Sequence, residues 1–312
     1  MTTTAAARAE RLARARKEQG ERGVDALLLG PSADLAYLTG YHPPHLERMT
    51  LLVVPAAGDP RLVVPALEAP LARDQLGELE IEVAAWPETD DPVRLVAATL
   101  AAAGATGGQL GVGDQLWSTF LLRLQEALPA AGFVAASTVT RQLRMRKDPE
   151  ELAALARVAA AIDGVVEGLD GLRWAGRTEL DLARDIEEAI RDSHDRFCFA
   201  IVASGPNAAS PHHGASGRVI QPGDPVVVDI GGRLDGYCSD TTRTLVVGEP
   251  PAGFQELYAL LHAAQLAGCA AVRPGVPASA VDAACRDPIT AAGHGELFVH
   301  RTGHGIGLEE HE

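Results

Sequence analysis

Apolar residues in the first part of the chain come in short runs separated by amphipathic stretches. Residues 6–22 set Leu12 and small alanines on one face of a charged segment, which predicts a helix. Residues 24–29 read as a strand, 31–40 as a short helix, and 51–54 and 61–64 as two strands joined by the turn Ala57-Gly58-Asp59-Pro60. Residues 67–76, 93–103 and 119–128 carry helical spacing, and 110–112 a short strand. This alternation predicts an α/β domain over residues 1–142. A linker is expected at 143–151, where Asp148 is placed to cap a helix, Pro149 suits its first position, and Glu150 and Glu151 suit the positive end of its dipole. A second domain is expected over 152–312, with helices to about Asp170, at 178–193, at 254–272 and at 281–292, the last interrupted by Pro288.

The second domain is organised around residues 226–247, VVVDIGGRLDGYCSDTTRTLVV. Two β-branched runs flank Asp235-Gly236, the best hairpin-turn signal between them. With that pair as a two-residue loop, Asp229 faces Thr242 and lies diagonal to Asp240. Slipped by one residue, Asp229 faces Asp240 directly. Both registers put the two carboxylates on one face, because side chains alternate with period two. Neighbouring like charges in a valine-rich sheet repel and need compensation. Two readings stand: a divalent cation between the carboxylates, or one aspartate solvated at the hairpin end.

Composition narrows the function classes. With 46% hydrophobic and 22% charged residues, the 312-residue chain is globular rather than disordered, and long enough for two cores. A net charge of −15 argues against a protein that tracks phosphates, so no nucleic-acid partner is expected. Cys198, Cys238, Cys269 and Cys285 lack CxxC spacing and read as free thiols. No long apolar run or secretory leader pattern stands out, which predicts a cytoplasmic protein with no membrane partner.

Seven of the ten histidines follow residue 200, and His300, His304 and His311 fall in one glycine-bearing segment. Taken singly, each is more often a surface or core histidine than a ligand. Together with Asp229 and Asp240, one of them would complete mixed oxygen and nitrogen coordination, suited to Mn²⁺, Co²⁺ or Zn²⁺. There is no P-loop, no GxGxxG and no nucleophile elbow at Ser204-Gly205.

Three separated motifs, in order, resemble the pita-bread metallopeptidases of the Xaa-Pro aminopeptidase and prolidase branch: SGPNAASPHH at 204–213, DIGGRLDGYCSDTTRT at 229–244 and HRTGHGIGLEEHE at 300–312. The YLTGY run at 37–41 and KDPEEL at 147–152 are similar to this branch as well. The resemblance implies a creatinase/prolidase-type α/β domain followed by an α+β pita-bread domain. It implies hydrolysis of Xaa-Pro bonds in dipeptides or longer peptides, two divalent ions with Mn²⁺ foremost, and a homodimer or tetramer. By the same resemblance Asp229, Asp240 and His304 are metal ligands, and Thr242 stands near the metal carboxylates. His212, His300 and His311 hold substrate and stabilise the tetrahedral intermediate.

The family has two further glutamate ligands, one of them the general base, on strands after the last histidine segment. The sequence ends at Glu312 before either, and Glu309, Glu310 and Glu312 do not match them. The expectation is therefore a C-terminally incomplete form of a longer enzyme, inactive as it stands. Two alternatives are a creatinase-like amidinohydrolase that works without metal and a metal-free peptide-binding relative.

Overall fold

The computed structural model describes residues 3–312. The chain divides into two compact units, one ending at Leu152 and one running Ala153–Glu312.

The first unit runs α1 (Ala5–Arg22), β1 (Ala26–Leu29), α2 (Ala33–Thr39), β2 (Leu51–Pro55), β3 (Arg61–Pro65), α3 (Ala69–Leu76), β4 (Glu82–Trp86), α4 (Pro92–Ala102), β5 (Gln109–Val112), α5 (Ser118–Ala127), β6 (Gly132–Ala135) and α6 (Ser137–Arg144). Its strands form one mixed sheet in the order β4-β3-β2-β1-β5-β6. Every residue of β1 and β2 is buried, as their unbroken Leu and Val runs require. Leu28, Leu51, Val53, Val63, Leu100 and Leu110 belong to the core, and each contributes about 1.5–3 kcal/mol by leaving water. The sequence pattern missed β4, β6 and α6. Residues 82–86 are alanine-rich, 132–135 are too short to show a period, and α6 carries Thr138, Val139 and Thr140, whose branched side chains read as strand. In the loop between α2 and β2, Arg48 pairs through Nη1 with Glu47 and through Nη2 with Glu68, both at 3.0 Å.

The second unit begins within α7 (Pro149–Gly168), so the expected linker 143–151 holds the end of α6 and the first turn of α7. The cap at Asp148 is reciprocal: Glu151 N–H donates to Asp148 Oδ1, and Asp148 N–H to Glu151 Oε2, both at 2.9 Å. Then follow α8 (Glu179–Ser193), β7 (Arg196–Ser204), β8 (Pro225–Leu234), β9 (Tyr237–Cys238), β10 (Thr241–Val246), α9 (Phe254–Ala271) and α10 (Ala278–Ala291). β8 lies between β7 and β10, antiparallel to both, and β9 extends the hairpin at its end. Along β8, Val226, Val228 and Ile230 are buried and pack with Ile186 and Ile190 of α8, while Asp229 alternates to the opposite face. The expected break at Pro288 is corrected: α10 runs through it. Proline's fixed φ is compatible with a helix, and α10 packs tightly against α9, where a Cβ on Gly268 would lie 2.2 Å from Cys285 Sγ.

All four cysteines are free. Among the described residues no helix is long and apolar enough to cross a membrane.

Candidate metal centre

Leu234 pairs with Tyr237, so Asp235-Gly236 is the two-residue loop of the hairpin. Both loop residues have positive φ, 53° and 86°, as a type I′ turn demands. That turn selects the first of the two registers: Asp229 stands opposite Thr242, and Thr242 Oγ1 donates to Asp229 Oδ1 at 2.7 Å. Asp240 lies two residues before Thr242, on the same face.

Asp240, His304 and His311 each bring one ligand atom to within 4.8 Å of the others. His304 Nε2 is 3.4 Å from Asp240 Oδ2. The rings of His304 and His311 stack with centroids 3.9 Å apart and planes 20° apart. Burial and then the Asp229 carboxylate push the pKa of Asp240 up, while His304 and His311 pull it down. A second carboxylate beside a half-buried one, with two imidazoles facing it, is the unfavourable arrangement that a cation relieves. The donors are oxygen and nitrogen. Burial keeps Cys198 and Cys238 as thiols, Cys198 at a pKa of about 12, so neither offers a thiolate at neutral pH. These residues fit a divalent ion of the Mn²⁺, Co²⁺ or Zn²⁺ kind.

The other candidate histidines stand outside this group. His300 has Nδ1 2.8 Å from the Arg301 carbonyl oxygen. His212 is exposed, on the loop that follows β7. That loop is held by Glu179, a residue the sequence reading passed over. Glu179 is fully buried at the start of α8. It accepts from Ser204 N–H and Oγ (both 2.7 Å), Asn207 Nδ2 (3.0 Å), Ser216 Oγ (2.6 Å) and Ser216 N–H (3.1 Å), and faces His213 Nε2 at 3.2 Å. Burial alone would raise its pKa, but the hydrogen bonds from Ser216, Ser204 and Asn207 outweigh it and bring the pKa down to about 2. The turn from β7 into this loop requires a glycine: Gly205 has φ 51°, and a Cβ there would lie 2.6 Å from Arg218 Nη2.

Residues 151–312 match metallopeptidase family M24, and residues 11–146 match the creatinase/prolidase N-terminal domain. The chain is 46% identical over 307 residues to a probable dipeptidase PepE of Mycobacterium bovis, covering 97% of this chain and 81% of that protein. It is 34% identical over 285 residues to an Xaa-Pro dipeptidase of Lactobacillus helveticus, covering 89% of this chain and 76% of that protein. The crystal structure of dipeptidase PepE from Mycobacterium ulcerans superposes with a TM-score of 0.94 at 44% identity, over 100% of this chain and 84% of that one. The hairpin aspartates, the histidine segment and both matches agree, and the chain belongs to metallopeptidase family M24, with a creatinase/prolidase-type N-terminal domain ahead of its pita-bread peptidase domain.

Proposed function

We propose that the enzyme to which this chain belongs hydrolyses the bond before proline in dipeptides or longer peptides, with Mn²⁺ as its working ion. The observation that carries the reading is the meeting of Asp240 with His304 and His311 beside Asp229. The likeness to an Xaa-Pro dipeptidase supports the choice of substrate. Residues 152–312 would form the peptidase domain, and residues 1–142 would support a homodimer or tetramer in the cytoplasm.

In this reading Asp229, Asp240 and His304 hold divalent metal, and His311, stacked on His304, borders the same point. A divalent ion there supplies Lewis acidity, which makes water nucleophilic at neutral pH and polarises the scissile carbonyl. Residues of this chain position the ligands and the substrate. Thr242 orients the Asp229 carboxylate by donating to Oδ1, leaving Oδ2 for a cation. His212 donates a ring N–H to substrate or to the oxyanion that develops on its carbonyl, and His300, whose Nδ1–H goes to the Arg301 carbonyl, holds substrate by accepting at Nε2. His311 keeps a proton-carrying nitrogen beside the reacting group, and Arg301 Nη2, 3.3 Å from His311 Nδ1, restrains that ring.

The test is proline release from Xaa-Pro dipeptides by the enzyme purified from its natural source, with Mn²⁺, with EDTA and after Mn²⁺ is restored. Release that vanishes with EDTA and returns with Mn²⁺ is expected. Hydrolysis of a guanidino substrate that is indifferent to EDTA would point to amidinohydrolase chemistry without metal. Peptide binding without turnover, unchanged by Asp240→Asn, would point to a binding protein.

A further inference from the structure

The segment after α10 contains one 3-10 turn, Gly295–Leu297, and no other helix or strand, yet it carries His300, His304 and His311. Its backbone therefore needs fixing from outside. Two residues one turn apart on α10 do this at one end. Asp282 Oδ1 accepts from Thr302 N–H at 2.8 Å and from Thr302 Oγ1 at 2.9 Å. Arg286 closes a fork on the same carboxylate, with Nε at 2.7 Å and Nη2 at 3.2 Å. It also donates from Nη1 to the Phe298 carbonyl at 2.7 Å and from Nη2 to the His300 carbonyl at 2.8 Å. Its guanidinium lies 4.3 Å from the centre of the Phe298 ring. The chain is thus gripped on both sides of His300. At the far end, Cys238 N–H of β9 donates to the Gly307 carbonyl at 2.7 Å. His304 sits between these anchors, with Nε2 3.4 Å from Asp240 Oδ2.

We propose that Asp282 is a positioning residue for the metal centre: with Arg286 it pins residues 298–302 to α10 and so sets where His304 meets Asp240. Asp282 acts through Thr302 and touches no reacting group. An ordinary i,i+4 ion pair on a helix uses only its two side chains. This one spends its remaining donors and acceptors on two carbonyls and one N–H of the histidine segment. The inference rests on the reading of Asp240 and His304 as metal ligands, and its test does not require peptidase turnover.

The experiment compares Co²⁺ binding to the full chain and to its Asp282→Ala, Asp282→Asn and Thr302→Val variants, by calorimetry and by the visible absorption of the bound ion. Thermal melting of each metal-free protein runs alongside. Asp282→Ala should weaken Co²⁺ binding by about tenfold or more and alter the absorption band, since groups that orient ligands carry effects of that size. Asp282→Asn and Thr302→Val keep the shape of the site and should show smaller losses in the same direction. Glu187→Ala, which breaks a comparable pair with Arg191 on α8, should leave both affinity and spectrum unchanged. Folded Asp282 variants with wild-type affinity and spectrum overturn the proposal, as does a loss that follows melting temperature equally in Glu187→Ala. If Asp282→Ala does not fold, Asp282→Asn and Thr302→Val decide by the same criteria. A wild-type chain that takes up no Co²⁺ sinks the metal reading, and the proposal with it.

Discussion

Asp229 and Thr242 face each other across β8 and β10, and the threonine hydroxyl is bonded to Asp229 Oδ1 at 2.7 Å. The hydroxyl fixes how the carboxylate is turned without itself competing as a strong ligand. Thr242→Val keeps the β-branched shape and removes only that bond. It should weaken Mn²⁺ binding by about tenfold and leave the melting temperature of the metal-free protein nearly unchanged. Calorimetric titration with Mn²⁺ and a melting curve check both halves.

Asp240→Asn separates the cost of the site from its use. Burial and the Asp229 charge raise the Asp240 pKa in the metal-free fold, so its ionised form costs stability at neutral pH. Removing that charge should raise the metal-free melting temperature by about 2 °C. An upward shift with Mn²⁺ is expected for the wild-type protein and should be absent from the variant. Scanning fluorimetry with and without Mn²⁺ reads both, and a variant still stabilised by Mn²⁺ would count against Asp240 as a ligand.

Glu179 makes the second unit acid-sensitive. Its pKa falls from 4.5 to about 2 on folding, so its stabilisation is complete above pH 4.5 and is lost as the pH drops from 4.5 towards 2. Glu179→Gln should cost on the order of 3 kcal/mol at neutral pH, because donors from Ser204 and Ser216 would face an amide in place of a charge. The gap between variant and wild type should close as the pH approaches 2. Urea unfolding at a series of pH values measures it, and a gap independent of pH would show that Glu179 is not the group responsible.

Gly232 sets how closely β8 approaches α8. A Cβ there would lie 2.6 Å from the His194 ring and 2.9 Å from Ile190 Cγ2. Gly232→Ala should destabilise the protein by about 1–3 kcal/mol through overpacking. Chemical denaturation is the direct measure. The same substitution at Gly164, where nothing lies within 4 Å, should be neutral or mildly stabilising.

The parts that were legible in the sequence are those fixed by local chemistry. Asp235-Gly236 marked the hairpin, and of the two registers the sequence left open the fold takes the one that pairs Asp229 with Thr242. Asp148 and Thr178 announced the starts of α7 and α8. What stayed hidden depends on contacts between distant segments. Glu179 looks like an ordinary acid at a helix N-terminus, and only the fold brings Ser204, Asn207 and Ser216 onto it. Asp282 and Arg286 look like a surface pair, and nothing in their spacing says that Phe298, His300 and Thr302 will be their partners. The placing of His311 with Asp240 and His304 is a property of loop closure that no period in the sequence encodes. Pro288 misled because its cost is local, whereas the packing of α10 against α9 is not.

β8 carries aliphatic side chains and a carboxylate on alternate positions of one strand, and this makes the core a proofreader of the site. A slip of one residue against β7 or β10 would carry Asp229 into the place of Val228 and turn Val226, Val228 and Ile230 outward. Forfeiting the burial of those three side chains would cost roughly 5 kcal/mol or more, a large part of what holds a domain of this size together. A chain with the carboxylate out of place is therefore one that does not stay folded, so misassembled copies are removed by instability rather than persisting as folded but inert protein.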